Sequence, residues 1–171
     1  MTERTGASAL QLTEALASYA SGVTLVMIAD GRDDIGTTVS AFCPLSLDPP
    51  LVMVALMAES YPAEVLARPD GPGGFAVTLL AARQRVLAGR FAAAGRPGAR
   101  LLLDDVPHLR GGYSGALIPA HGLAALDCEN AGQIPAGDHV MMIGHVLDVP
   151  YASDSSEPLI RFRGRYPALS P

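Results

Sequence analysis

Apolar residues recur at helical spacing near the start of the chain and again in its middle; elsewhere they come in short, β-branched runs separated by turn residues. Leu10, Leu12, Ala15, Leu16 and Tyr19 predict a helix that Gly22 ends. Val23 to Ile28 and Ile35 to Phe42 read as two strands joined through Asp30-Gly31-Arg32-Asp33-Asp34, a hairpin. Pro49-Pro50 bars a helix ahead of Leu51 to Leu56, a uniformly apolar run that predicts a strand buried on both faces. Tyr61 to Leu66 predicts a short helix and Phe75 to Leu80 a strand. Between Ala81 and Ala94, Arg83, Arg85 and Arg90 alternate with Val86, Leu87 and Phe91, an amphipathic helix stopped by Gly95-Arg96-Pro97-Gly98. The stretch from Asp104 to Ala120, with Gly111-Gly112-Tyr113-Ser114-Gly115, is the least regular and reads as a mobile candidate lid. Strand patterns return at Gly122 to Cys128, His139 to Val149 and Leu159 to Phe162.

About seven strands and three helices result, the strands separated by turns rather than by regular helices. That pattern predicts a mainly β fold with peripheral helices, an antiparallel barrel rather than a doubly wound parallel sheet. The length of 171 residues suits one domain, here read as a tail over 1–9 and a single domain over 10–171.

Hydrophobic residues make up 49% and charged residues 17%, enough for a core and too few charges for general disorder. The longest apolar stretch, Leu51 to Met57, is far short of a membrane span, and Met1-Thr2-Glu3-Arg4 lacks the pattern of a secretion signal, so a soluble, cytoplasmic protein is expected. The net charge of −5 argues against a nucleic-acid partner. An anionic ligand would need a few placed Arg, hydroxyl and backbone N–H groups instead of a basic surface. Cys43 and Cys128 have no CxxC spacing and read as reduced thiols.

Several motifs fail on context. Gly71-Pro72-Gly73-Gly74-Phe75-Ala76 matches a loose dinucleotide pattern, but a strand follows it where a helix is needed. Ser114 lacks the second glycine of a nucleophile elbow. His108, His121, His139 and His145 show no zinc spacing, and no metal is expected. Two segments are chemically unusual. Gly36-Thr37-Thr38-Val39-Ser40-Ala41-Phe42 carries three hydroxyls able to meet a heteroaromatic ring edge or a phosphate, although an ordinary Thr-rich strand gives the same pattern. Pro135-Ala136-Gly137-Asp138-His139 delivers an acid and an imidazole into an apolar strand, which a structural histidine would also do.

Taken in order, the chain resembles the short-chain flavin reductase family, the FMN-binding split barrels that serve as reductase components of two-component flavin-dependent monooxygenases. The matching stretches are Tyr19 to Thr24, Gly36 to Phe42, Ser46 to Val52, Ser60, Phe75 to Val77, Gln84 with Leu87-Ala88 and Phe91-Ala92, Cys128, Gly137-Asp138-His139 through Gly144, and Pro158-Leu159 to Tyr166. Ser60-Tyr61-Pro62 and the turn ahead of His139 are most similar to reductases paired with hydroxylases of aromatic polyketide pathways.

The resemblance implies a homodimeric, six-stranded, antiparallel Greek-key split barrel, a cytoplasmic NAD(P)H:flavin oxidoreductase that reduces FMN or FAD with NADH or NADPH and supplies a partner monooxygenase. The alternative is a barrel of the same kind that binds flavin or another cofactor without reducing it. The resemblance places Thr37, Thr38, Val39 and Ser40 along the isoalloxazine ring, and Ser46, Val52, Met53 and Val54 beside the ribityl chain. It places Glu59 and Ser60 at the phosphate, counts Phe91 among the cofactor contacts, and sets His139 on the nicotinamide side as the catalytic residue. Thr78 stands where the family often has Asn, which puts the contact of that amide in doubt; Pro62 stands where the family has a hydroxyl, which would weaken phosphate binding.

Overall fold

The computed structural model describes residues 6–31, 33–153 and 156–169. Helix α1 (Ala9–Leu16) starts at a capping box, in which the Ser8 hydroxyl accepts from the Gln11 N–H and the Gln11 side chain accepts from the Ser8 N–H. None of its residues is buried, so Leu10, Leu12 and Leu16 lie exposed. Strand β1 (Ser21–Gly22) leads into the expected hairpin of β2 (Thr24–Asp30) and β3 (Asp33–Val39). After a bend at Ser40 and Ala41 come β4 (Phe42–Leu47), β5 (Pro50–Met57), α2 (Tyr61–Ala67) and β6 (Gly74–Leu79).

The middle helix is broken into a 3-10 turn over Ala82–Gln84, α3 (Arg85–Ala92) and, past the Gly95 to Gly98 tract, α4 (Ala99–Leu102). β7 (His108–Arg110), β8 (Leu117–Pro119), β9 (Ala124–Ala136), β10 (His139–Ala152) and β11 (Ile160–Arg161) complete the described chain.

Seven strands form one antiparallel sheet in the order β3-β2-β6-β9-β10-β5-β4. Its two edge strands are separated in sequence by Ser40 and Ala41 alone, so the sheet curls until the last strand follows the first. No ladder joins β3 to β4 among the described residues, so the sheet has seven strands where the family resemblance implies six, and it is curled without being closed.

Two cores lie on the two faces of the curl. The inner one gathers Val26, Ile28, Val54, Phe75, Val77, Cys128 and Met142 with Val65 and Leu66 of α2. The outer one sets Leu25, Met27 and Ala76 against Leu87 and Phe91 of α3 and Leu117 and Ile118 of β8. Strands β2 and β6 are therefore buried on both faces. β5 is not, contrary to the expectation from its uniform apolar run: Val52, Val54 and Leu56 are buried while Leu51, Met53 and Ala55 are half-exposed and Met57 is exposed. Composition cannot tell which strand receives a covering helix, and α3 and α4 cover the other half of the sheet.

The candidate lid is corrected as well. Residues 108–119 form the paired β7 and β8, with Ala116, Leu117 and Ile118 in the core. The Gly-rich loop between them is held down where the Tyr113 and Ser114 N–H groups donate to the buried Asp127 carboxylate, at 2.8 and 3.1 Å.

Candidate functional site

Around the bend between β3 and β4 the expected ligand residues separate into distinct environments. Alternation along β3 sends Thr37 toward the face of Ile35 and Val39, and Thr38 toward α3, where its hydroxyl donates to the Ala88 carbonyl at 2.7 Å. The two threonines therefore cannot present both hydroxyls to one ring. Val39, Val52 and Val54 belong to the inner core. Phe91 is fully buried, and a Cβ built on Gly36 would meet its ring at 2.4 Å, so it supports β3 from behind and has no surface left for a ligand. Ser46 at the end of β4 accepts from the Asp48 N–H at 3.2 Å and shapes the turn into β5. Glu59 is exposed in the turn ahead of α2.

Two clefts lie along β3, one at its start and one at the bend that ends it. The first, about 330 Å³, lies between Asp33 to Gly36 of β3, Ser60 to Pro62 at the start of α2, and the Gly95 to Ala99 tract. Ser60 is the N-cap of α2, its hydroxyl accepting from the Ala63 N–H at 3.4 Å. Arg96 is anchored by donating to the carbonyls of Gly36 and Ala93, at 3.0 and 3.2 Å. Burial pulls its pKa below the usual arginine value.

Asp34, with 1% of its side chain accessible, also lines this cleft and holds two arginines, Arg100 Nε at 2.5 Å and Arg110 in a bidentate pair with both distances 2.9 Å. Burial alone would raise the Asp34 pKa, but the hydrogen bonds and charges of Arg110 and Arg100 hold it below the ordinary carboxylate value. Neither this network nor the position of Arg96 was legible in the sequence, where Gly95-Arg96-Pro97-Gly98 reads only as a helix stop.

The second cleft, about 450 Å³ and mostly apolar, runs between Tyr19 to Thr24, Ser40 to Phe42, Met53, Leu79, Leu80 and Leu123. Ser40 stands exposed at its mouth, and its hydroxyl makes no hydrogen bond among the described residues. Of the residues expected beside a ribityl chain, Met53 alone lines this cleft.

His139 opens β10 after a two-residue turn in which Gly137 takes φ +66°, the left-handed conformation that primed hairpin turns require. Its Nδ1 is 2.7 Å from Asp138 Oδ1, and this contact holds the Asp138 carboxyl below its usual range. Paired with Met57, His139 shares the outer sheet face with Met141, Ile143 and His145 and lines neither cleft. That face continues across Leu51, Met53, Ala55 and Met57 of β5 and Ile134 of β9, and is apolar, with Met57 and Ile134 exposed and the others half-buried in the single chain.

Thr78 lies elsewhere. It is fully buried beside Gly122 and the Tyr151 hydroxyl, which accepts from the Gly122 N–H and donates to the Pro119 carbonyl. Cys128 is buried and its thiol is pushed up to about 12, chiefly by desolvation and then by the Asp127 charge, so it is inert at neutral pH. Among the described residues no group of three or more His, Cys, Asp or Glu side chains is placed to hold a metal ion.

The described chain is thus a curled antiparallel sheet with an arginine-lined cleft at the start of β3 and an apolar cleft at its hydroxyl-bearing end. Comparison with known proteins places it in a family. Residues 16–170 match the family described as flavin reductase like domain, and the chain belongs to that family.

It is 37% identical over 156 residues to the reductase component of 4-hydroxyphenylacetate 3-monooxygenase from Thermus thermophilus, covering 91% of this chain and 93% of that one. It is 32% identical over 162 residues to the NADH-dependent FMN reductase AsuE2 of Streptomyces nodosus subsp. asukaensis, covering 93% and 84%. Among solved structures it resembles BorF, the flavin reductase component of a bacterial two-component tryptophan halogenase, with a TM-score of 0.85 and 29% identity over 94% of this chain and 97% of that one.

Proposed function

We propose that this protein is an NADH-dependent flavin reductase that reduces FMN or FAD and supplies the reduced flavin to a separate monooxygenase. The observation that carries the reading is the family match over nearly the whole chain, together with relatives named as NADH-dependent FMN reductase and as the reductase component of a monooxygenase. The residues present fit a flavin. Ser40 offers an unengaged hydroxyl at the bend, the apolar cleft beside it suits an aromatic ring system, and Arg96 with Ser60 in the first cleft suits a phosphate ester.

The flavin, when bound, accepts hydride from the nicotinamide and passes the electrons on. This chain's part is to bind and orient. Ser40 and the backbone of the bend hold the polar edge of the ring, and Arg96 meets the negative charge of the phosphate. Glu59 can offer only its backbone N–H, since its carboxylate repels a phosphate, and is the weakest of the expected ligands.

The outer sheet face completes the site in our reading. We assign it to a second copy of this chain, because β5, β9 and β10 otherwise leave Met57 and Ile134 exposed and Met53, Met141 and Ile143 only half-buried on one continuous apolar face. Such a homodimer converts the curled sheet into the split barrel of the family and brings His139, remote from both clefts of its own chain, to the boundary between copies. There it would position the nicotinamide without acting as a nucleophile.

The decisive experiment is NADH oxidation, followed by nicotinamide absorbance, with and without added FMN or FAD. Flavin-dependent turnover is expected. A thermal shift with flavin but no turnover would make the protein a flavin-binding relative, and neither response would overturn the reading altogether.

A further inference from the structure

Resting on that reading, we infer that Arg161 and Arg163 form a separate subsite that holds the diphosphate of the pyridine dinucleotide donor. Arg161 lies on β11, whose two residues pair with β1 through Ser21↔Arg161 and Gly22↔Ile160. The chain then reverses in a tight turn closed by hydrogen bonds in both directions between Phe162 and Arg165, each 2.9 Å, while the Arg163 N–H donates to the Ala17 carbonyl at 3.0 Å. Arg163 and Gly164 take φ of +47° and +71°.

Glycine is the natural occupant of such conformations and Asn is tolerated, whereas a long side chain is uncommon there. A strained residue that the fold could replace cheaply is a marker of function.

The charge of these two arginines is also uncommitted. Elsewhere Arg68, Arg90, Arg100 and Arg110 hold carboxylates and Arg83 and Arg96 hold carbonyls. Among the described residues neither Arg161 nor Arg163 makes an ion pair or a side-chain hydrogen bond; Arg163 lies over the ring of its neighbour Phe162, 5.2 Å from the centroid.

Both line a groove of about 460 Å³ with Thr13, Leu16, Ala17, Tyr19, Ser21, Ser40, Ala41 and Gly164. That groove meets the apolar second cleft at Tyr19, Ser21, Ser40 and Ala41. A ligand with an aromatic end and a doubly charged middle fits this join, the ring reaching the bend at Ser40 and the diphosphate lying along the arginines. The phosphate-binding duty of Arg96 in the first cleft stays with the flavin, so the two anions have separate cations.

The test compares wild type with a double variant, Arg161→Gln with Arg163→Asn, the asparagine chosen because it accepts the turn conformation. ADP-ribose, which carries the diphosphate but no nicotinamide, is titrated by calorimetry, and its affinity is expected to fall about tenfold or more, the worth of charge-assisted hydrogen bonds. KM for NADH should rise by a similar factor while the FMN dissociation constant, thermal midpoint and oligomeric state hold. Dihydronicotinamide riboside, a donor without phosphate, should keep its kcat/KM in the variant.

Unchanged ADP-ribose affinity and NADH KM would overturn the inference. Weakened FMN binding would overturn it too, by giving the groove to the flavin phosphate, and a changed oligomeric state would give it to the interface. If wild type oxidises no NADH with any flavin, the functional reading fails separately, and the ADP-ribose titration still decides the groove.

Discussion

Asp34 and Arg110 meet in a bidentate pair with both N–O distances 2.9 Å, tying the edge strand β3 to the β7–β8 hairpin across 76 residues of sequence. Arg100 reaches the same carboxylate from α4, so one buried acid fastens three elements around the first cleft.

Asp34→Asn leaves two guanidiniums facing a neutral amide and is expected to cost about 3 kcal/mol, the low end for a broken buried pair because both arginines reach solvent. The pH dependence follows from a carboxyl held below its ordinary value in the folded state. The unfolded chain binds the proton more readily, so the stabilisation is fully present above about pH 4 and is lost as pH falls through the folded value. Chemical denaturation of wild type and variant across acidic pH should show the wild-type advantage shrinking toward the acid end; a constant difference would rule Asp34 out as its source.

Gly36→Ala tests the packing behind the bend. The added methyl would meet the Phe91 ring at 2.4 Å and Met27 Sδ at 2.6 Å. Overpacking of this kind costs about 1–3 kcal/mol, readable as a lowered thermal midpoint, with a larger proportional loss of flavin affinity if β3 shifts.

Ser40 and His139 separate binding from reduction. Ser40→Ala should weaken flavin affinity by about 0.5–1.5 kcal/mol, one hydrogen bond, in a fluorescence titration. His139→Ala should lower the reduction rate much more than the flavin affinity, because His139 lies outside both clefts of its own chain. Equal losses in rate and affinity for the histidine variant would assign it a purely structural part.

Ile143 sits mid-face opposite Met53 on the uncovered half of the sheet. Ile143→Glu would bury an unpaired carboxylate in the proposed dimer, raising its dissociation constant about 100-fold. Sedimentation should then show a monomer with retained secondary structure, and unchanged association would place the interface elsewhere.

Much of the fold was legible from periodicity alone. The β2–β3 hairpin, the first helix, and the strands at 75–80 and 139–149 follow from apolar spacing and turn residues, which act locally. What failed depends on long-range packing. Nothing local to Leu51 to Leu56 says that no helix covers its outer face, and nothing in Gly111 to Gly115 says that Asp127 will hold that loop closed. The site divides in the same way. Ser40 and Ser60 line clefts, whereas the side chains of Phe91, Val39, Val52 and Val54 are buried in the cores, a difference that depends on which face each strand turns inward. Arg96 acquires meaning only once the chain brings it against the Gly36 carbonyl.

The two edges of the sheet are consecutive stretches of a single run, parted at Ser40 and Ala41. A nick between those two residues would break no strand–strand ladder of the sheet, as cutting the clasp of a bracelet leaves every link intact, and Val39 of one rim would still pack with Val52 and Val54 beside the other. The bend is thus a covalent clasp placed over rims that the inner core already holds side by side.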